Sequence, residues 1–384
     1  RRVDQDTARV GMHLAPSLRS DFIASVIYSD RDGNVKTTFA DFGVDASRNL
    51  EGHDVQGQYL FRDDGFNLVF GAGTYEFDVD SVFAFSGIPL PPVVTRPTID
   101  QENVYAYANL RILDRLTGTL GASYDVYDDE TIDESELNPK LGLQWNITDR
   151  ALLRAAAFET LKRELVVDQA IEPTHVAGFN QFFDDLNGTK TRLYGTGLDV
   201  TILDTLYGGI EGIRRDLDVP IASGGSAVFQ DRDESLLRAY LYWALSPSWA
   251  LTAEHRFEKV ESEFPATTVT TLPVEIQTHT APVMARYFGP GGIFAEVATT
   301  FVWQEVDLIN PRPGFNETSE RFAVVDAAIG YRLPKRRGII SLEGRNIFDE
   351  DFIFQDRNFT SDPTSNRPPF IPERTILGRI TFVF

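Results

Sequence analysis

An all-β protein, built as a transmembrane antiparallel β-barrel of about 16 to 18 strands, is the fold class this sequence predicts. Three observations carry the expectation. Apolar and polar residues alternate with period two, in segments of about ten residues, from one end of the chain to the other. Short connections of turn-forming residues alternate with long ones. No stretch approaches the roughly 18 unbroken apolar residues of a spanning helix, and 42% hydrophobic composition is too polar for a bundle of such helices.

The segments are justified in chain order. They fall at approximately 7–14, 19–29, 53–62, 66–76, 102–112, 117–127, 138–147, 151–161, 190–201, 204–214, 234–245, 249–260, 274–287, 292–305, 320–333, 338–350 and 373–384. Val104, Ala106, Ala108 and Leu110 alternate with Tyr105, Tyr107, Asn109 and Arg111, and the next segment repeats the scheme with Leu120, Ala122, Tyr124 and Val126 against Ser123 and Asp125. Leu237, Ala239, Leu241, Trp243 and Leu245 oppose Arg238, Tyr240 and Tyr242. After Ser246-Pro247-Ser248 come Trp249, Leu251, Ala253, His255 and Phe257 on the apolar face, against Thr252, Glu254, Arg256 and Glu258. His255 is the imperfection on that greasy face. Tight turns are expected at Asp63-Asp64-Gly65, Thr148-Asp149-Arg150, Gly289-Pro290-Gly291 and Pro334-Lys335-Arg336.

The long connections, 30–52, 77–101, 128–137, 162–189, 215–233, 261–273, 306–319 and 351–372, are assigned to the extracellular side. Residues 86–98 hold four prolines and predict a rigid extended path with neither helix nor strand ladder. Within 173–187, Val176, Phe179, Phe182, Phe183 and Leu186 approximate a helical stripe closed by Asn187-Gly188, so a short helix constricting the barrel mouth or capping its rim is expected. The count of about 17 segments is odd, whereas bacterial single-chain barrels close with an even number. One or more strands preceding residue 1 would repair the parity, as would an uncounted strand at Val35 to Phe42.

Composition agrees with this architecture. The chain has 28 Phe, 13 Tyr and 29 Gly, the rings suited to membrane interfaces and the glycines to crowded strands. A net charge of −21 argues against a nucleic-acid partner, and the absence of cysteine excludes disulfides and thiolate metal sites. No apolar segment follows the opening Arg1-Arg2-Val3-Asp4, so no signal peptide is expected there.

The last 65 or so residues carry a family likeness. Asp326 to Pro334, Ile340 to Asp349 with Asn346-Ile347-Phe348-Asp349, and Pro372 to Phe384 resemble the closing strands of TonB-dependent outer-membrane receptors; Asn138 to Leu143 followed by Leu153 to Ala156 resembles mid-barrel hairpins of the same superfamily. The chain also resembles the barrel half of exporters whose periplasmic half is built of helical repeats. Either likeness implies the outer membrane of a Gram-negative bacterium, contact with its lipid and lipopolysaccharide, and a periplasmic domain or energy-transducing partner. It further implies that Phe382 and Phe384 signal insertion to the barrel assembly machinery. The departure from the receptors is that they carry a plug domain and 22 strands.

The function expected is a translocation channel or receptor passing a solute or polymer through a polar lumen, or else a non-transporting barrel for display, adhesion or docking. Lumen-lining candidates are Tyr105, Tyr107, Arg111, Asp125, Arg154, Arg238, Tyr240, Glu254, Arg256, Glu296, Glu343, Arg345 and Arg379; opposite charges among them can equally pair off to satisfy a wet wall. Candidates for the constriction are Val176, Phe179, Phe182 and Phe183, and for aromatic girdles Trp145, Trp243, Trp249, Trp303 and Tyr331. His13, His53, His175, His255 and His279 lie on separate segments with no metal-ligand spacing, so no enzyme, metal site or cofactor is expected.

Overall fold

The computed structural model describes residues 2–38, 43–86, 90–165, 170–223, 226–264, 272–309, 318–352, 354 and 373–382. Its strands are β1 (Arg2–Ser17), β2 (Ser20–Thr38), β3 (Gly43–Arg62), β4 (Phe66–Ser86), β5 (Val93–Thr95), β6 (Thr98–Leu113), β7 (Leu116–Asp128), β8 (Asp133–Thr148), β9 (Ala151–Leu161), β10 (His175–Val176) and β11 (Phe179–Asn180). The rest are β12 (Lys190–Leu203), β13 (Leu206–Ser223), β14 (Ser226–Ser246), β15 (Trp249–Ser262), β16 (Leu272–Phe288), β17 (Ile293–Ile309), β18 (Thr318–Arg332), β19 (Gly338–Arg345) and β20 (Thr375–Phe382). Eighteen belong to one sheet, and β10 and β11 form a separate small hairpin.

Every one of the 17 expected segments corresponds to a strand of the large sheet; the eighteenth is the three-residue β5, paired to β4 through Val82 and Val94. That corrects the expectation for 86–98, since Val93 to Thr95 lie between the prolines and keep their own N–H donors. The strands also run further than their alternation suggests. β2 and β3 pair from Ser20↔Phe61 to Thr38↔Gly43, so most of 30–52 is ladder rather than loop, with 39–42 outside the described residues. β4 similarly runs to Ser86, β8 begins at Asp133, and β13 and β14 fill most of 215–233. The reason is visible on their faces: outward residues there are Asp30, Glu51, Asp78 and Asp80, so the apolar half of the alternation is lost while backbone pairing continues. Phe384 lies outside the described residues.

Contacts divide the chain into two compact units. The first comprises Arg1–Gln144, Ala156–Leu193 and Asp218–Phe229. Its sheet alternates cleanly: Tyr75, Phe77 and Val79 of β4 are buried while Glu76, Asp78 and Asp80 are exposed. Tyr75, Phe77 and Val79 join Ile27, Ile99, Tyr127, Ile132 and Leu161 in an apolar cluster on the buried face. The opposite face exposes Val26, Val55, Phe70, Val104 and Leu120.

The second unit comprises Trp145–Ala155, Tyr194–Leu217 and Gln230–Phe384. Register places its outward residues in rows across β15 to β18. Leu251, Ala285, Val297 and Ala327 form one such row, and Ala253, Val283, Thr299 and Val325 the next. Further along come Phe257, His279, Trp303 and Arg321, then Lys259, Gln277, Glu305 and Ser319. Ile293, opposite Tyr331, and Trp303 lie ten residues apart on β17. At about 3.3 Å per residue and a tilt of about 40°, that is about 25 Å of apolar band.

Gly52 of β3 shows how tightly the first unit's buried face is packed, for a Cβ there would lie 2.1 Å from the Glu76 carbonyl oxygen and 2.5 Å from the Phe77 ring. Gly52→Ala is expected to cost about 1–3 kcal/mol through overpacking, read as a lowered urea midpoint of the protein refolded into lipid vesicles. A midpoint equal to wild type would mean that the β4 backbone at Glu76 and Phe77 is free to shift aside.

Candidate functional site

In the first unit, period two delivers polar side chains to the face that carries Tyr105 and Tyr107: Gln56 and Gln58 from β3, Asn103 from β6, Ser123 and Asp125 from β7, Asn138 and Lys140 from β8. All are buried, because the described residues of segment 162–189, namely 162–165 and 170–189, fold back over them. Lys162 N and Gly188 N anchor its two ends to Thr189 O and Lys162 O. Between them the chain makes a hairpin, not the expected helix. β10 and β11 pair Val176 with Phe179, and Ala177 and Gly178 have φ of 48° and 90°. Two successive left-handed residues make the primed turn that suits a two-residue hairpin loop, and Gly178 takes that conformation without a Cβ penalty. The apolar spacing that resembles a helical stripe instead places Val176 and Phe179, 0% and 1% exposed, on either side of the turn. Beneath the hairpin, a Cβ on Gly142 of β8 would fall 2.8 Å from Ala177 Cβ and 3.1 Å from Val176 Cγ1, so glycine there makes the seat.

Charge fixes the segment in place. Arg163 Nη2 donates to Glu172 Oε2 at 2.7 Å, and Nη1 to Asp125 Oδ1 at 3.2 Å, with all three side chains less than a tenth exposed. Tyr107 donates to Glu172 Oε1 at 2.7 Å and Asn103 to its Oε2 at 3.2 Å. Asn138 and Ser123 each donate to Asp125 Oδ2 at 2.6 Å. Lys140 Nζ donates to the Glu159 carbonyl at 2.9 Å, and Gln181 Nε2 donates to Tyr107 Oη at 3.0 Å and to the Pro173 carbonyl. Gln56 accepts from Ile171 N at 2.9 Å, while Gln58 donates to Ile171 O and to Tyr105 Oη. Arg163 is therefore the cation that both carboxylates share, with Lys140 bonded to a backbone carbonyl beside them. Burial opposes the Arg163 charge, but Glu172, Tyr75 and Asp125 outweigh it and raise its pKa above the ordinary arginine value. Arg163 Nε and Asn103 Oδ1 have no protein partner, and Arg163 lines a cavity of about 20 Å³, room for about one water. A wider space of about 300 Å³ in the same unit is lined by Arg31, Arg48, Leu50, Phe83 and Glu164.

The second unit keeps its charges on strands. Arg154 pairs with Asp199 at 2.6 Å and Glu211 at 3.0 Å, and Tyr240 donates to Asp199. Arg238 pairs with Glu254 at 2.8 Å, Arg256 also with Glu254, Arg286 with Glu296, and Arg379 with Glu343 at 3.4 Å. A space of about 390 Å³ is lined there by Asn146, Arg150, Asp199, Tyr207, Tyr240 and Tyr242.

Of the expected lumen residues, Tyr105, Tyr107 and Asp125 thus meet beneath the inserted segment. Arg154, Tyr240, Arg238, Glu254 and Arg256 form a second group, and Glu296, Glu343 and Arg379 occupy separate pairs. Arg111 and Arg345 are exposed near strand ends. Phe182 and Phe183 are half-buried, Phe182 with its ring 5.5 Å from the Arg163 guanidinium. Trp145, Trp243, Trp249, Trp303 and Tyr331 all stand exposed, as does Phe382. Sequence reasoning missed Arg163, Glu172, Lys140 and Gly142. Lys140 was legible, since Asn138, Lys140 and Gly142 share parity; Arg163 and Glu172 lie off any strand, with no period to betray their direction.

A sequence profile described as TonB dependent receptor-like, beta-barrel matches residues 1–347. The chain belongs to this family. Among solved structures, the ferric citrate transporter FecA superposes with a TM-score of 0.67 at 13% identity, over 91% of this chain and 57% of that one. The ferric-catecholate import receptor Fiu from E. coli K12 gives 0.64 at 14% over 98% and 63%, and the copper transporter OprC gives 0.65 at 15% over 100% and 67%. The chain therefore spans about three fifths of the length of FecA and Fiu. No curated protein sequence matches. The TonB-dependent receptor likeness and the all-β barrel class are borne out, and the family's place is the outer membrane.

Removing Arg163 leaves Glu172 and Asp125 buried without their cation. Arg163→Met is expected to lower stability by about 3–5 kcal/mol and to admit protease to 162–189, whereas Gly142→Val should loosen the hairpin with the ion pairs intact. Limited proteolysis followed by mass spectrometry reads both; protection equal to wild type in Arg163→Met would show that the ion pairs do not hold the segment.

Proposed function

We propose that the chain is the barrel of an outer-membrane receptor that imports a small solute, closed over its first unit by segment 162–189. The observation that carries this is the buried Arg163–Glu172–Asp125 cluster, which fastens a connecting segment onto a polar face rather than an apolar one. A face lined by Gln56, Gln58, Asn103 and Tyr107 suits a hydrated path, and hydrogen bonds made to the segment can be exchanged for bonds to water or solute at small net cost. The polar face of each unit is lumen-facing, and the long connections lie outside the cell. The exposed aromatics are the girdles: Trp145, Trp243, Trp249 and Tyr331 sit beside short turns at the periplasmic border, and Trp303 sits about 25 Å away at the other.

The profile match favours the receptor likeness over the repeat-linked exporter. Relatives named for ferric citrate, ferric catecholate and copper support a metal ion or its chelate as the cargo. With no nucleotide motif in the sequence, the energy comes from a periplasmic transducing partner, and insertion is guided by Phe382 and Phe384 through the assembly machinery.

Two measurements test this reading. Deleting 174–187 from the whole protein should raise single-channel conductance in planar bilayers and sensitise cells to large antibiotics; unchanged conductance with verified insertion would remove the closing role. Cells making the protein as their sole receptor should accumulate a radiolabelled iron or copper chelate, and should stop when a protonophore collapses the membrane potential. Accumulation that survives the protonophore would contradict energised import.

A further inference from the structure

The outward face of the second unit carries a feature that neither solute passage nor a plain aromatic girdle uses. His279 of β16, Trp303 of β17 and Arg321 of β18 are direct register partners, so they stand side by side in one row. The indole of Trp303 lies between them, stacked on His279 with centroids 5.2 Å apart and planes at 20°, and with the Arg321 guanidinium 4.5 Å from its own centroid. His255 of β15 extends the group: its Nε2 is 3.3 Å from His279 Nδ1, and the two rings are 5.4 Å apart. That contact uses one nitrogen of each imidazole and leaves the other outside it. Among the described residues, Arg321 forms no ion pair with a carboxylate. One indole thus holds His279 and Arg321 in order, and His279 in turn holds His255, on a face that is otherwise apolar toward the short-turn end.

The level of this row decides what it meets. On its short-turn side lie the rows of Leu251 and Ala253; on its other side lies the row with Lys259 and Glu305, where Lys259 is already paired to Glu261 and Glu275. The His279 row is therefore the last before charge becomes general, the depth at which headgroup phosphates lie against a protein wall. The first unit makes the same transition with carboxylates, through Glu76, Asp78 and Asp100 on β4 and β6. In a chain of net charge −21, a guanidinium with no carboxylate partner among the described residues, set beside two imidazoles, is a local choice of counter-charge.

We propose that His255, His279, Trp303 and Arg321 form a binding site for the phosphate of a membrane-lipid headgroup in the leaflet that the long connections face. Arg321 takes two phosphate oxygens with its planar fork. The imidazole pair spends one N–H on its own contact and donates the one that remains to the same phosphate, and Trp303 is the positioning residue that orders His279 and Arg321 while its ring lies against the lipid's glycan or glycerol. The site rests on the lipid-facing reading of the apolar band, and the experiment separates the two.

The whole protein is reconstituted in phosphatidylcholine nanodiscs containing a trace of bis-phosphorylated lipid A, and co-retained lipid is counted by native mass spectrometry. Lipid A stripped of its phosphates and inorganic phosphate serve as comparison probes. Wild type should retain the phosphorylated lipid over the dephosphorylated one. Arg321→Gln should weaken retention about fivefold, the worth of one cation at an anionic surface, with a further loss in Arg321→Gln/His279→Gln. Arg321→Lys and Trp303→Phe should keep more than Arg321→Gln and Trp303→Ala respectively, while Lys36→Gln, an exposed cation of the first unit, should change nothing. Equal retention of both lipid A forms, or of lipid by wild type and the double variant, overturns the site. Competition by inorganic phosphate that matches lipid A in affinity overturns the lipid as its source. Heat-modified gel mobility confirms folding of each variant. Quenching of tryptophan by brominated phosphatidylcholine reports the apolar band independently: quenching without phosphate preference sinks only this site, and no quenching sinks the band reading beneath it.

Discussion

A peptide group in hydrocarbon has no water to bond, so a chain that crosses a membrane as strands must find every backbone partner on a neighbouring strand. That constraint governs the rest of the molecule. It accounts for ladders as long as β2 on β3, where pairing continues without a break from Ser20 to Thr38. It also fixes side-chain direction, because a residue committed to a ladder points to one face and its neighbours to the other. Parity then does the sorting. Arg238, Tyr240, Glu254 and Arg256 share one face because Leu237, Ala239, Leu241 and Leu251 share the other, and reversing that assignment would put Arg into lipid at about 2–4 kcal/mol each near the midplane.

The polar face created in this way is completed differently in the two units. In the second, carboxylates and guanidinia on adjacent strands satisfy one another: Arg154 bridges Asp199 and Glu211, and Glu254 serves both Arg238 and Arg256. In the first, the strands supply amides, hydroxyls, Asp125 and Lys140, and the missing partners come from a segment outside the ladder. Arg163 and Glu172 are delivered by the turns of 162–189, and the hairpin at Val176 to Phe179 finds its seat at Gly142. Sheet and segment are thus complementary in charge and in shape at separate places.

The difference between the two units is also the difference in what the sequence reveals. A period-two pattern survives wherever one face is apolar, so the 17 long strands and their tight turns could be read directly. Beyond the apolar band the pattern fades, although the ladder continues, and for that reason β3 reads as starting near His53 when it begins at Gly43. The segment 162–189 has no ladder to impose a period. Its phenylalanines fall at a helix-like spacing by coincidence with a hairpin, whose one legible sign is Ala177-Gly178. The pairing partners of the charged wall depend on register between strands far apart in sequence, such as Arg154 with Glu211, which alternation along a single strand does not encode.

The polarity of the covered face bears on how firmly the segment is held. An apolar lid on an apolar floor would expose greasy surface on opening, at about 25 cal/mol for each Å². Here the floor beneath 162–189 is mostly Gln56, Gln58, Asn103, Tyr107, Asp125, Asn138 and Lys140, whose bonds to Ile171, Glu172 and Gln181 can be traded for bonds to water with little net change in free energy. What resists opening is the part that water replaces poorly: the Val176 and Phe179 contacts, and the two carboxylates that surround Arg163. Buried ion pairs are weak contributors to stability against an apolar alternative, but they define one geometry and penalise any half-open state in which a charge stays buried without its partner. The arrangement therefore favours two positions, seated with Arg163 between Asp125 and Glu172, or lifted with those three charges wet. A segment with those two states suits a wall that must close and open again without unfolding the sheet beneath it.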